Sequence, residues 1–189
     1  MRILKPLALT LTLACLGGNP ALADQAVVVG VNRYKNLPAD AQLRGCETDA
    51  AAVASKLRGL GFEVDLVTGD RATRSGILQA LGRARAANGP SERFVLFFAG
   101  HGSKIYQRGV VLLPADTRLD CSNVLSGDDL HRAVEAIPAA GRTILLDSCF
   151  SGALTRSLSG FRGRFYPLGS AAGSRAVNGQ SGSEALGQD

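Results

Sequence analysis

An α/β fold of three layers, with a mostly parallel central sheet and helices on both faces, is predicted by three features of the sequence. Strand-like and helix-like stretches alternate along the chain, strand–helix–strand–helix–strand–helix–strand, which is the pattern of a parallel sheet with right-handed crossovers. The runs at 26–31 (AVVVGV), 94–98 (FVLFF) and 143–146 (TILL) are apolar almost throughout, as strands covered on both faces are. The second and third of these runs each end in a reactive side chain: His101 in Ala99-Gly100-His101-Gly102, and Cys149 in Asp147-Ser148-Cys149. Open α/β sheets bind their ligands at that end of their strands. With 189 residues, 46% of them apolar, the chain is long enough for one domain with a substantial core.

The elements follow in order. After the first strand a polar loop carries Asn32, Lys35, Asn36 and Pro38. Helix one is expected to start near Thr48 or Asp49, with Ala50, Val53, Leu57 and Leu60 on one face and Gly59 and Gly61 ending it. Residues 62–66 (FEVDL) alternate, so that strand has one wet face or lies at an edge. Thr73 is placed to cap a second helix with Ile77, Leu81 and Ala84 on its inner stripe. The His-bearing strand covers 93–99, and 109–113 reads as a small hairpin arm before Pro114. Ser126-Gly127-Asp128-Asp129 supplies a cap and acidic first turn for a third helix carrying Leu130, Val134 and Ile137. His131 falls on its polar side and is expected to face solvent. The Cys-bearing strand starts at Arg142, and 165–168 (FYPL) suggests one more strand before a Gly/Ser-rich tail.

The N-terminus is not part of the fold. Arg2 and Lys5 precede an apolar stretch at 7–16, and Ala21-Leu22-Ala23 forms a cleavage site before Asp24, so 1–23 reads as a secretory signal peptide. Gly17-Gly18-Asn19-Pro20 cuts the run short of the roughly 20 apolar residues that a membrane span needs. The mature protein is therefore expected to be exported, periplasmic or secreted, with no membrane attachment once the signal is removed. Cleavage lowers the net charge from +5 to +3, because Arg2 and Lys5 leave and no acid does. So mild an excess, without an aromatic-interleaved basic groove, does not argue for nucleic acid, and none is expected as a partner. No internal repeat, nucleotide-type glycine loop or zinc-type Cys/His spacing occurs. Cys46, Cys121 and Cys149 remain, an odd number that leaves one thiol free in an oxidising compartment unless chains cross-link.

If the His-bearing and Cys-bearing strands are neighbours, His101 and Cys149 face each other across the sheet edge. An imidazole beside a thiol takes its proton and holds the thiolate, the reactive form. Glycines flank His101 and let backbone approach a substrate, and the amides of Gly102 and Cys149 are candidates for an oxyanion hole. Read from the residues alone, Asp49 is rather a helix cap and Asp147 a tie at a strand end.

The motifs around His101 and Cys149, 48 positions apart, resemble those of the caspase-like cysteine peptidases, in the metacaspase branch with its bacterial members. Leu43-Arg44-Gly45-Cys46-Glu47-Thr48-Asp49-Ala50 resembles that family's stretch leading into its first helix. The resemblance runs from about Ala26 to Gly152. It implies a caspase-like three-layer domain over 24–168, with 169–189 as a partial small-subunit region or tail and a sheet incomplete at its C-terminal edge. It implies an endopeptidase that needs no cofactor for its chemistry and cleaves protein or peptide substrates after Arg or Lys. Cys46, Asp49 and Asp147 match the family's basic-selective pocket, and paired carboxylates do suit a cationic side chain. Asp116, Asp128 and Asp129 match three acids of a calcium-activation site, an ion that prefers hard oxygen ligands; Arg156 stands where a further acid is usual, and helix capping explains Asp128 and Asp129 as well. Ala99 replaces the family's usual Ser before Gly-His. Self-processing at Arg156, Arg162 or Arg164 and a dimer through the open sheet edge are further expectations. The alternative to a peptidase is a catalytically incomplete module that holds peptides or a partner; a redox protein using Cys46 and Cys149 ranks third.

Overall fold

The computed structural model describes residues 22–106, 108–149, 161–168 and 177–178. Residues 1–21, where a signal peptide is expected, Arg156 and most of the tail lie outside them. Among the described residues there are nine strands and three α-helices: β1 (Gln25–Gly30), α1 (Cys46–Gly59), β2 (Glu63–Val67), α2 (Arg74–Ala87), β3 (Arg93–Ala99), β4 (Gly102–Ile105), β5 (Gly109–Leu112), β6 (Leu125–Ser126), α3 (Gly127–Glu135), β7 (Gly141–Asp147), β8 (Arg164–Pro167) and β9 (Val177–Asn178). The main sheet has the order β2-β1-β3-β7-β8-β9. Its first five strands run parallel and β9 is antiparallel to β8. The predicted three-layer α/β architecture is the one observed.

The sheet's two faces carry separate cores. Val27, Val29, Leu96, Phe98, Ile144 and Leu146 point to the side covered by α2 and α3, against Ile77, Leu81, Leu130 and Val134. Ala26, Val28, Val95, Phe97 and Ala99 point the other way, against Ala50 and Ala54 of α1. Successive residues of a strand point to opposite faces, so the apolar runs of β1 and β3 are what burial on both faces requires. β2, with Glu63 and Asp65 outward, is the edge strand its alternation predicted. Arg71 and Arg83 pair with Asp65 there, and such charges blunt an edge against further pairing.

The helix signals translate unevenly. Thr73 caps α2 by accepting from the Gly76 amide at 3.1 Å, and Ser126 and Asp129 close a full capping box on α3. Helix one differs: it begins at Cys46, two to three residues before the expected start, with no side-chain cap. Gly45, at φ 104°, provides the turn into it, a conformation open mainly to glycine. Leu60 lies beyond the helix and is 58% exposed. His131 is half-buried rather than solvent-facing, edge-on to Phe161 with ring centroids 6.3 Å apart.

The hairpin arm at 109–113 appears as β5, paired antiparallel with β4. β4 had no periodic signature of its own. It starts immediately after His101, and β5 and β6 complete a small second sheet with it. The strand expected at 165–168 is β8, hydrogen-bonded to the Cys-bearing strand.

Candidate active site

β3 and β7 are adjacent and parallel, with Ala99 in register with Asp147. His101 and Cys149 each lie two residues past that pair, so both emerge at the same sheet edge. The Gly100 amide donates to the Asp147 carbonyl at 3.2 Å, extending the pairing beyond the strand ends. Gly102 then passes against the Cys149 backbone so closely that a Cβ there would collide with the Cys149 carbonyl oxygen and crowd Ser148 Oγ. Only glycine allows that approach. Cys149 is exposed, and Ser148 before it is buried.

His101 is held at its amide, its ring face and its Nε2. Its backbone amide donates to the Tyr34 hydroxyl at 2.7 Å, and its ring lies 4.9 Å from that of Tyr34. Its Nε2 is 2.8 Å from the Ala41 carbonyl oxygen. A carbonyl only accepts, so Nε2 carries a proton, and in the neutral form of the ring the lone pair is on Nδ1. Tyr34 is itself 2% exposed, and burial pushes its phenol well above the ordinary value; it is a neutral structural hydroxyl. Neither Tyr34 nor Ala41 stood out in the sequence. The one available signal was an aromatic residue in an otherwise polar loop.

Cys46, Asp49 and Asp147 do converge. Leu145 packs with the α1-side core, so by alternation Asp147 points to the same face, toward the start of α1. The Cys46 thiol is pushed up by burial first, then by the Asp147 and Asp49 carboxylates. Those two carboxylates are exposed, leaving them accessible to a cationic group from solvent. Asp49 also lies in the acidic first turn of α1, where the helix dipole favours negative charge. A raised thiol stays protonated and is a poor nucleophile, which separates Cys46 from the exposed Cys149. Cys46, Cys121 and Cys149 are all free thiols.

Of the three acids matched to a calcium site, Asp116 and Asp129 are engaged by other groups, and Asp128 is exposed. Asp116 Oδ1 accepts from the Arg74 amide at 2.8 Å, at the start of α2. Asp129 Oδ2 takes Arg74 Nη2 at 3.1 Å and Oδ1 takes Arg132 Nη2 at 2.7 Å. Burial alone would raise the Asp129 pKa, but the hydrogen bonds from Arg74 and Ser126 outweigh it and hold the carboxyl below the usual range. Arg74 Nε also donates to the Val124 carbonyl at 3.0 Å. Among the described residues no group of three or more His, Cys, Asp or Glu is placed to hold a metal ion. Arg74 thus engages two of the three acids, Asp116 through its backbone amide and Asp129 through its guanidinium.

No curated protein matches the sequence. Among solved structures, the crystal structure of protein GSU0716 from Geobacter sulfurreducens is similar, with a TM-score of 0.56 and 24% identity over 76% of this chain and 58% of that one. That is a likeness of fold, and this chain spans less than two thirds of that protein's length. The sequence pattern of the caspase domain (Peptidase_C14) matches residues 23–184, nearly the whole chain. The chain belongs to the caspase domain family of cysteine-type peptidases.

Proposed function

We propose that the protein is a metacaspase-like cysteine endopeptidase that cleaves after Arg or Lys, with Cys149 as nucleophile and His101 as general base and acid. The observation that carries this reading is the register of β3 and β7, with His101 and the exposed Cys149 at equivalent steps past Ala99 and Asp147. His101, with Nε2 bound to the Ala41 carbonyl, takes the Cys149 proton at Nδ1. The thiolate attacks the scissile carbonyl carbon, and the oxyanion that forms is met by the amides of Gly102 and Cys149. The imidazolium returns its proton to the leaving amine. Water, deprotonated by the same imidazole, then hydrolyses the thioester and frees Cys149. None of these steps calls on a cofactor.

Selectivity for a basic side chain is supported by the two exposed carboxylates, Asp49 and Asp147, which act on the same thiol. A guanidinium between them gains two charge-assisted contacts; an Asp side chain would be repelled. Export after removal of residues 1–23 remains part of the proposal. For self-processing, Arg162 is the better candidate of the two described arginines, since Arg164 lies within β8 and its backbone is paired to β7. A dimer would have to add to the β9 side of the sheet, beyond β8.

The deciding assay compares fluorogenic peptides ending in Arg and in Asp under reducing conditions. Turnover of the Arg peptide, lost in Cys149→Ala and His101→Ala, is the expected result. A folded wild-type protein that binds peptides without turnover establishes the non-catalytic module instead.

A further inference from the structure

We infer that Gln42 is the positioning residue that sets the protonation geometry of His101, acting through the loop between β1 and α1. This rests on the reading of His101 as the catalytic base. The Ala41 carbonyl that receives His101 Nε2 belongs to the same planar peptide unit as the Gln42 nitrogen, so whatever fixes Gln42 aims that carbonyl. The Gln42 amide group lies inside its own loop and is used on both sides. Its Oε1 accepts from the Tyr34 amide at 2.8 Å. Its Nε2 reaches the carbonyls of Tyr34 at 3.2 Å, Leu37 at 3.1 Å and Pro38 at 3.0 Å.

These four contacts gather both ends of a turn that has little else to hold it. The 3-10 turn Ala39–Ala41 contains no buried residue and no capping side chain. Gln42 N donates to the Ala39 carbonyl at 3.3 Å, and the loop is shut at its base by Leu43 N to the Asn32 carbonyl at 2.8 Å. Tyr34, at the other end of the clamp, presents its hydroxyl to the His101 amide. A single side chain thus binds the backbone of the residue that holds the His101 main chain and sits one peptide from the carbonyl that holds its ring. Only a primary amide can do this, since it is acceptor and double donor at once; a carboxylate would face three carbonyls with nothing to donate.

The consequence concerns which imidazole nitrogen carries the proton. With the Ala41 carbonyl held in place, the neutral ring is locked as the Nε2–H form and Nδ1 is left as base. Without the clamp the carbonyl swings free, and both tautomers become populated.

The test uses the full chain with 15N-labelled histidine and a His131→Gln background, so that one imidazole remains to be read by long-range 15N–1H correlation at a pH where it is neutral. The wild type is expected to show the Nε2–H form, and Gln42→Met a mixture of both. Against the Arg peptide, Gln42→Met should lose about 10- to 100-fold in kcat with KM within about twofold, the loss expected of a catalytic group misplaced by about an ångström. Gln42→Glu, which keeps only the acceptor, should behave likewise and serves if the methionine variant does not fold. A folded variant with the wild-type tautomer overturns the inference, as does failure of both variants to fold, which would make Gln42 a residue of general stability. A wild type without peptidase activity refutes the peptidase reading instead, and the tautomer measurement then decides the role of Gln42 alone.

Discussion

Replacing Tyr34 by Phe removes one buried oxygen and leaves the ring. Tyr34 is 2% exposed. Its hydroxyl accepts from the His101 amide at 2.7 Å and points its own hydrogen toward the Val31 carbonyl at 3.4 Å. The phenyl ring that remains still fills the core and still stacks on His101, so no cavity term enters. What is lost is the acceptor of a partly buried N–H, which costs about 1–3 kcal/mol when nothing replaces it. His101 is half-buried, so water restores part of the bond, and about 1–2 kcal/mol is the expected net. For a domain of this size that corresponds to a fall in Tm of about 2–8 °C. Differential scanning calorimetry reads this directly, and hydrogen exchange at the His101 amide should accelerate with it. A Tm within about 1 °C of wild type, with His101 exchange unchanged, would refute the role given to the hydroxyl.

Three further outcomes are expected. Asp147→Asn should lower the Cys46 pKa toward its ordinary value of 9.0, because one of the carboxylates that raise it is gone. The pH dependence of alkylation in a Cys121→Ser, Cys149→Ala background measures this, and an unmoved titration would mean that Asp147 does not face the thiol. In the Cys149 protein, the same change should reduce kcat/KM for the Arg peptide by about tenfold, as one charge-assisted contact to the substrate is removed. The second outcome is acid sensitivity through Asp129, whose folded pKa lies below the unfolded 3.8. Its stabilising contribution is therefore complete above that unfolded value and is lost as pH falls through the folded one. Arg74→Met should lower Tm at neutral pH and flatten this acid limb. Calcium and EDTA should leave the wild-type Tm alike, because Arg74 already neutralises Asp129. A calcium-induced rise in Tm would contradict that assignment.

Much of the scaffold could be read locally because its signals are local. Thr73 and Ser126 cap their own helices, and the continuous apolar runs of β1, β3 and β7 can only be strands with both faces covered. The Gly100-His101-Gly102 and Asp147-Ser148-Cys149 motifs identified two candidate groups but not whether their strands are neighbours; the in-register pairing of β3 and β7 supplied that. β4 was missed because Gly102-Ser103-Lys104-Ile105 has no period, and its pairing partner β5 is what makes it a strand. Helix one started early because Gly45 turns the chain without any capping side chain to announce it.

The sequence by itself determined the alternation of elements, the helix caps and the placing of His101 and Cys149 at strand ends, since each depends on neighbours a few residues away. Only the tertiary structure decided what surrounds them. The Ala41 carbonyl reaches His101 from 60 residues away, and Arg74 reaches Asp129 from 55. A backbone carbonyl has no residue type to recognise, and an aspartate looks the same whether it awaits a metal or already holds a guanidinium. Which of these it does depends on what folding brings beside it.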